Sequence, residues 1–274
     1  MRSVKVKRIF LTIALLVILS WVTSFVYHFI IFIHARNTLR KIFIEGVLTE
    51  IDQIDLLHKK GIPATSLLIG LLKDDNDLVK INAMVLLAEF ESHEAAPSLA
   101  KLLKSDNWRV RFFASHALGR ISDKGTVDSL AKAWLEENDL RVAREIAIAV
   151  GKIGDKKAAP AFIKTYKDKD EKIKILSSLI LYKLLSKEGY FNDIKEAIHN
   201  KDDKLRLMTV WTLGEIEDQR IIPLLEEALV DSNQKVREFA QKSIEKINSK
   251  VSNNNTRKSD EIEIRKQDIN FLNK

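Results

Sequence analysis

The side chains able to do acid–base, nucleophilic or metal chemistry are few in kind and scattered along the chain. The six histidines, His28, His34, His58, His93, His116 and His199, never recur three or four residues apart, the spacing that would set two ligands on one helix face. His93 is followed by Glu94, but no second histidine completes HExxH, and GxSxG, P-loop and GxGxxG motifs are absent from the sequence. The chain has no cysteine, which excludes disulfides, thiolate nucleophiles and Cys-ligated zinc. Its carboxylates gather in short polar stretches: KDDND, KSDN, EEND, KDKDE, NKDDK and DSNQ. An acid just ahead of an apolar run caps a helix and favours its N-terminal dipole, and Arg111, Arg206 and Arg237 stand nearby as ion-pair partners. Trp108 and Trp134 have the ring size to stack a nucleobase, but an isolated tryptophan is ordinarily a packing residue. These residues predict no catalytic group, no cofactor and no metal, and hence a chain that is not an enzyme.

The formal net charge of +7 invites a nucleic-acid reading until the charge is located. Residues 1–60 hold nine Lys and Arg against four acids, a surplus of five, so the remaining 214 residues carry only two. A nucleic-acid binder places its basic excess on the folded domain, and the sequence therefore predicts no nucleic-acid partner.

Residues 1–8 form a basic tail, and residues 9–33, IFLTIALLVILSWVTSFVYHFIIFI, contain no Lys, Arg, Asp or Glu. A helix of that length measures ~37 Å, against ~30 Å of hydrocarbon. The reading is a transmembrane helix and a single-pass protein of the cell membrane, in contact with the lipid bilayer through residues 9–33. A cleaved signal peptide would have a shorter apolar core and a small-residue cleavage site. Four basic residues precede the run and three follow it, so the positive-inside rule places the large domain outside the cytoplasm by a margin of one charge, with a cytoplasmic domain as the alternative.

The rest of the chain repeats itself. An aliphatic residue, usually followed by Lys or Arg, recurs at Val79, Val110, Val142, Ile173, Leu205 and Val236, at intervals of 31, 32, 31, 32 and 31. Eight residues on stand Leu87, Leu118, Val150, Leu181, Leu213 and Ile244; nine residues on stand Ala88, Gly119, Gly151, Tyr182, Gly214 and Glu245. Pro63, Pro97, Pro160 and Pro223, with Asp128 and Asn192 at equivalent places, mark an earlier helix in each copy, since proline suits a helix's first turn. A period held over six copies means stacked helix–turn–helix units. Scarce Gly (9) and Pro (4) point the same way, to an all-α chain.

The pattern of acidic turn, Val-Arg, Ala and Leu-Gly-x-Ile, clearest at Asp106, Val110, Arg111, Ala114, Ala117, Leu118, Gly119 and Ile121, resembles HEAT repeats, especially the short bacterial class found in phycobilin lyases. The resemblance covers about two thirds of the chain, and copies four and six depart from it at Tyr182 and Glu245. It implies an α-solenoid of about six HEAT-like helix pairs over residues 61–247, preceded by the transmembrane helix. Residues 34–60 read as a connecting and capping helix, and 248–274 as a polar, disordered tail. Some HEAT-like proteins attach bilins and some are DNA glycosylases, so the alternative to a non-catalytic module is a lyase-type accessory enzyme subunit.

Counted from each anchor, positions 0, 4, 7, 8 and 11 share the core face, and positions 2 and 6 lie opposite. Those opposite positions read Ile81, Val85, Phe112, His116, Arg144, Ile148, Ile175, Leu179, Leu207 and Trp211 in the first five copies, and Glu238 and Lys242 in the last. A solvated face should be mostly polar. The apolar strip predicts either a partner-binding groove or packing between neighbouring repeats. The function expected is a membrane-anchored scaffold that binds a protein partner, a membrane-embedded complex among the candidates.

Overall fold

The computed structural model describes residues 2–45, 64–167 and 170–249, with side chains of the first helix described from Trp21 onward. Among the described residues every regular element is helical. The expectations for residues 46–63 and 250–274 lie outside the described residues. The chain divides into two compact units, residues 1–98 and 99–274.

In the first unit a single helix, α1 (Arg2–Glu45), packs against α2 (Ala64–Leu71) and α3 (Asp77–Glu89). Ala35, Leu39 and Phe43, at helical spacing, bury one stripe of α1 among Leu67, Leu68, Val79 and Ala83 of the same core. Polar contacts fix the register: Arg40 forks onto Asp74 (Nε–Oδ2 2.6 Å, Nη2–Oδ1 3.2 Å), and Asn82 Nδ2 donates to the carbonyl of Phe43 at 3.1 Å.

This unit corrects the membrane reading. Among the described residues no helix is long and apolar enough to cross a membrane. The expected transmembrane helix over 9–33, the single-pass localisation, the sidedness drawn from it and the lipid contact are not supported. The physical reason lies in α1 itself. It does not end with the apolar run at Ile33 but continues unbroken to Glu45, its last turns committed to the core by Ala35, Leu39 and Phe43. From Trp21 onward its apolar residues are interrupted by His28, His34 and Arg36.

In the second unit the helices alternate as the repeat requires: α4 (Ala96–Leu102) leads into α5 (Trp108–Ile121), α6 (Val127–Glu136) into α7 (Leu140–Ile153), α8 (Ala159–Tyr166) into α9 (Glu171–Leu185), α10 (Glu188–Ile198) into α11 (Asp203–Ile216), and α12 (Ile222–Glu227) into α13 (residues 234–249). Side chains of Asn107, Asp139, Asp170 and Asp202 cap the second helices by accepting from N–H groups two residues on, satisfying donors that a helix start leaves open. Those helices end on left-handed residues, Ser122, Gly154, Ser186 and Glu217. Most first helices are entered through a 3₁₀ turn capped by Asp123, Asp155 or Asp218. The 3₁₀ turn before α4, His93–Ala95, lacks a side-chain cap, and helix α10 has no such turn. It starts four residues before Asn192, the position marking that helix in the sequence, because Tyr190 and Phe191 are drawn against Tyr166 and Tyr182 at ring separations of 5.0 and 5.2 Å.

The second helices lie side by side, α5 on α7, α7 on α9 and α9 on α11. The glycines of the repeat are where neighbours come closest. A Cβ at Gly119 would stand 2.9 Å from Ala149 Cα on α7, and one at Gly214 only 2.0 Å from Ser243 Oγ on α13. Helix α7 also reaches α11, so the stack winds tightly enough for helices two repeats apart to touch. Gly151 faces both Ile180 and Ile216, and Lys152 Nζ lies 3.4 Å from Glu215.

Candidate functional site

The predicted strip meets three fates. Ile81 and Val85, on α3 of the first unit, are half-buried. In the second unit Phe112 and His116 on α5, Arg144 on α7, and Leu207 and Trp211 on α11 are also half-buried. Ile148, Ile175 and Leu179 are core, with exposures of 2%, 5% and 2%. The winding explains the split. Helices α7 and α11 meet, and α9, adjacent to both, keeps its positions 2 and 6 away from water. The strip is therefore not one continuous open groove.

The polar members are tied together. Arg144 lays its guanidinium over the Trp211 ring, 3.9 Å from the centroid, bridging α7 to α11. Its Nε is buried without a hydrogen-bond partner, and burial pushes its pKa below the ordinary arginine value, against the pull of adjacent Glu145. Glu145 is itself buried and lies 2.8 Å from His116 Nδ1. On α5 Phe112 and Phe113 meet edge to face. On α11 Leu207 sits one turn before Trp211 and lines a cleft of about 520 Å³ with Asp203, Asn233 and Glu238. Neither Glu145 nor the Arg144–Trp211 contact was legible in the sequence: Glu145 is one position off the strip, and Arg144 and Trp211 belong to copies two periods apart.

Of the two tryptophans with a stacking reading, Trp134 is core. Its Nε1 donates to Thr165 Oγ1 at 2.8 Å and its ring stacks on Phe162 at 4.5 Å. Trp108 lies under the guanidinium of Arg141, 3.5 Å from its centroid. Among the described residues no group of three or more His, Asp or Glu is arranged to hold a metal ion.

A second polar system lies at the turns. Arg111 donates from Nε and Nη2 to Glu137 at 2.7 and 2.9 Å, and from Nη1 to the carbonyls of Ser105 and Asp106. Arg206 does the same with Asp231 at 2.7 and 2.9 Å and with the carbonyls of Asn200 and Lys201. Arg237, in the last copy, keeps only the carbonyl half, to Asp231 and Ser232. Each arginine pins its own turn, and Arg111 and Arg206 also grip the next. Asp231 is held below the usual carboxylate range chiefly by its hydrogen bonds from Arg206.

Paired helices in tandem, with arginine-clamped turns and glycine contacts, define an α-solenoid built from repeats. Residues 64–149 and 192–254, together more than half of the chain, match the family model for HEAT repeats, and the chain belongs to that family. It is 28% identical over 120 residues to deoxyhypusine hydroxylase of Candida albicans. That match spans 43% of this chain but only 36% of the relative, about a third of its length. Among solved structures it is similar to the complex of CpcE and CpcF of phycocyanin lyase from Nostoc sp. PCC7120, with a TM-score of 0.49 and 18% identity over 67% of this chain and 82% of that one. It is also similar to an archaeal HEAT-like repeats protein from Thermococcus onnurineus, with a TM-score of 0.46 and 16% identity over 78% and 97% of the two chains. The match to an enzyme overturns the ground for expecting that this chain is not one: the absence of familiar contiguous motifs was too narrow a basis.

Proposed function

We propose that this HEAT-repeat chain is a protein-interaction module, and that it binds through the part of the strip left open by the winding: Phe112, His116, Arg144, Leu207 and Trp211. One observation carries the reading. Large apolar side chains at matching register on α5 and α11 keep part of their surface in water, whereas the equivalent Ile175 and Leu179 of α9 are buried. Burying aromatic and aliphatic side chains of this size is the usual source of interface energy. Ile81 and Val85 offer a smaller patch on the first unit. The test replaces Phe112 and Leu207 by Ala and measures both partner capture and melting temperature. Capture should fall while melting moves by only a few degrees; unchanged capture ends the proposal.

A second reading is favoured by the similarity to deoxyhypusine hydroxylase: hydroxylation of deoxyhypusine, in which dioxygen supplies the inserted oxygen atom and an external two-electron reductant, with two protons, carries the other oxygen to water. The purified chain would be incubated with a deoxyhypusine-bearing protein in the presence of dioxygen and a two-electron reductant, and the substrate weighed by mass spectrometry. A gain of one oxygen atom supports this reading, and an unchanged mass removes it.

A further inference from the structure

Among the described residues two side chains hold a buried polar atom without a hydrogen-bond partner, at Arg36 Nε and Arg144 Nε, and of these Arg144 lies on the strip, stacked on an aromatic ring. A guanidinium stays charged under all ordinary conditions and offers donors that need acceptors. Here the side chain is half-buried, its Nε has no acceptor, and its flat face rests on Trp211. Other arginines of the second helices are differently employed: Arg111 and Arg206 fork onto acids, Arg141 pairs with Asp139, and Arg237 holds turn carbonyls. The neighbouring acid, Glu145, is turned to His116. A guanidinium stacked on an aromatic ring is pre-organised to receive a planar carboxylate, and Leu207, one turn away on α11, adds an apolar foothold.

We infer that Arg144, braced by Trp211, receives an aspartate or glutamate side chain from a peptide segment of a protein partner, with an apolar residue beside that acid resting on Leu207. The inference rests on the protein-interaction reading above and names the chemistry of the partner. Charge favours a carboxylate over a phosphate: buried Glu145 is adjacent and repels a dianion more strongly than a single negative charge.

The test exposes the purified full-length chain to a displayed library of short random peptides. Selected peptides should carry Asp or Glu next to an aliphatic or aromatic residue. Changing that acid to its amide should weaken binding by about tenfold, the loss of one charge-assisted pair. Arg144→Gln should weaken the acidic peptide by a similar factor and leave the amide peptide unaffected. Arg144→Lys, which retains the charge but not the fork, should weaken it by less. If Arg144→Gln fails to fold, the comparison of acid and amide peptides on the unaltered chain still decides. Selected peptides without an acid, an amide peptide that binds as well, or displacement by millimolar inorganic phosphate would each overturn the inference. Peptides that bind but ignore changes at Arg144 would end this inference and leave the interaction reading standing. Selection of no peptide at all would end both.

Discussion

The two ends of the second helices in the second unit are held by different physics. At the N-terminal end the contacts are polar and specific: a capping Asn or Asp, then an arginine that clamps its own turn and the acid of the next. At the C-terminal end the contacts are steric: Gly119 against Ala149, Gly151 against Ile180 and Ile216, Gly214 against Ser243. One end spaces neighbouring repeats by charge pairs that reach across a turn, the other by removing a side chain so that helices touch. Helix α9 shows that the two are separable. It has Lys174, 3.1 Å from Asp193, where Arg111 and Arg206 stand elsewhere. It has Tyr182 where glycine is usual, and that ring lies against Phe191 and beneath Arg220.

Breaking the polar end should do the greatest damage. Arg206 and Asp231 are both nearly out of water, with side-chain exposures of 11% and 7%. Arg206→Gln leaves Asp231 buried without its cation and two turn carbonyls without their donor, and should cost about 3 kcal/mol, the low end for breaking a buried pair. Chemical denaturation of the two chains measures it. A cost under ~1 kcal/mol, typical of an exposed pair, would mean that the turn end does not hold the repeats together.

Next comes the steric end. An alanine at Gly214 puts a methyl 2.0 Å from Ser243 Oγ and 2.6 Å from its Cβ. The hydroxyl can rotate away, but the Cβ moves only with α13. Approaches this close put the overpacking cost near the top of its ~1–3 kcal/mol range, and a gain of up to ~1 kcal/mol in helix propensity offsets part of it, so a net loss of about 2 kcal/mol is expected. Ser243→Gly placed on top of Gly214→Ala should recover most of that loss, although Ser243→Gly alone destabilises. Strict additivity of the two changes would refute the close approach. Gly119→Ala should cost less, about 1 kcal/mol: its approach is less close, but the atom met at 2.9 Å is the backbone Cα of Ala149, so α5 and α7 must part slightly to relieve it.

The two ends were not equally legible in the sequence. The polar end was, because its parts are local: an acidic stretch, then an aliphatic-Arg pair, repeated, names both the cap and the clamp. The glycine positions were visible as a pattern, yet their reason was not, since the atoms they make room for belong to another copy. The strip of positions 2 and 6 was half legible. Phe112 and Leu207 follow from helical periodicity, but the burial of Ile175 and Leu179 depends on how far each copy rotates relative to the last, and the contact of α7 with α11 arises only after two such rotations. The apolar run of residues 9–33 shows the opposite error. Read alone its composition implied a membrane span, whereas the helix containing it runs on into the core of the first unit through Leu39 and Phe43.

The smallest effect sharpens the comparison by pH, because only the polar end titrates in acid. Asp139 caps α7 through its bond from Arg141 N and pairs with the Arg141 side chain at 2.6 Å. Those hydrogen bonds lower its pKa to about 2, while an unfolded aspartate titrates near ~3.9. The sign follows from the depression: the folded chain prefers the charged form, so the stabilisation is complete above the unfolded value and fades as pH falls through ~4 towards 2. Arg141 is 55% exposed and Asp139 21%, so water screens the pair and the effect is the smallest of the set. Asp139→Asn keeps an oxygen to cap α7 but removes the charge. The variant should melt a few degrees lower at neutral pH, and its melting curve should converge on that of the unaltered chain as pH approaches 2. A deficit that persists unchanged down to pH 2 would assign the loss to the cap rather than to the charge. The pairing at this turn would then be incidental to the hold that Arg111 and Arg206 keep on theirs.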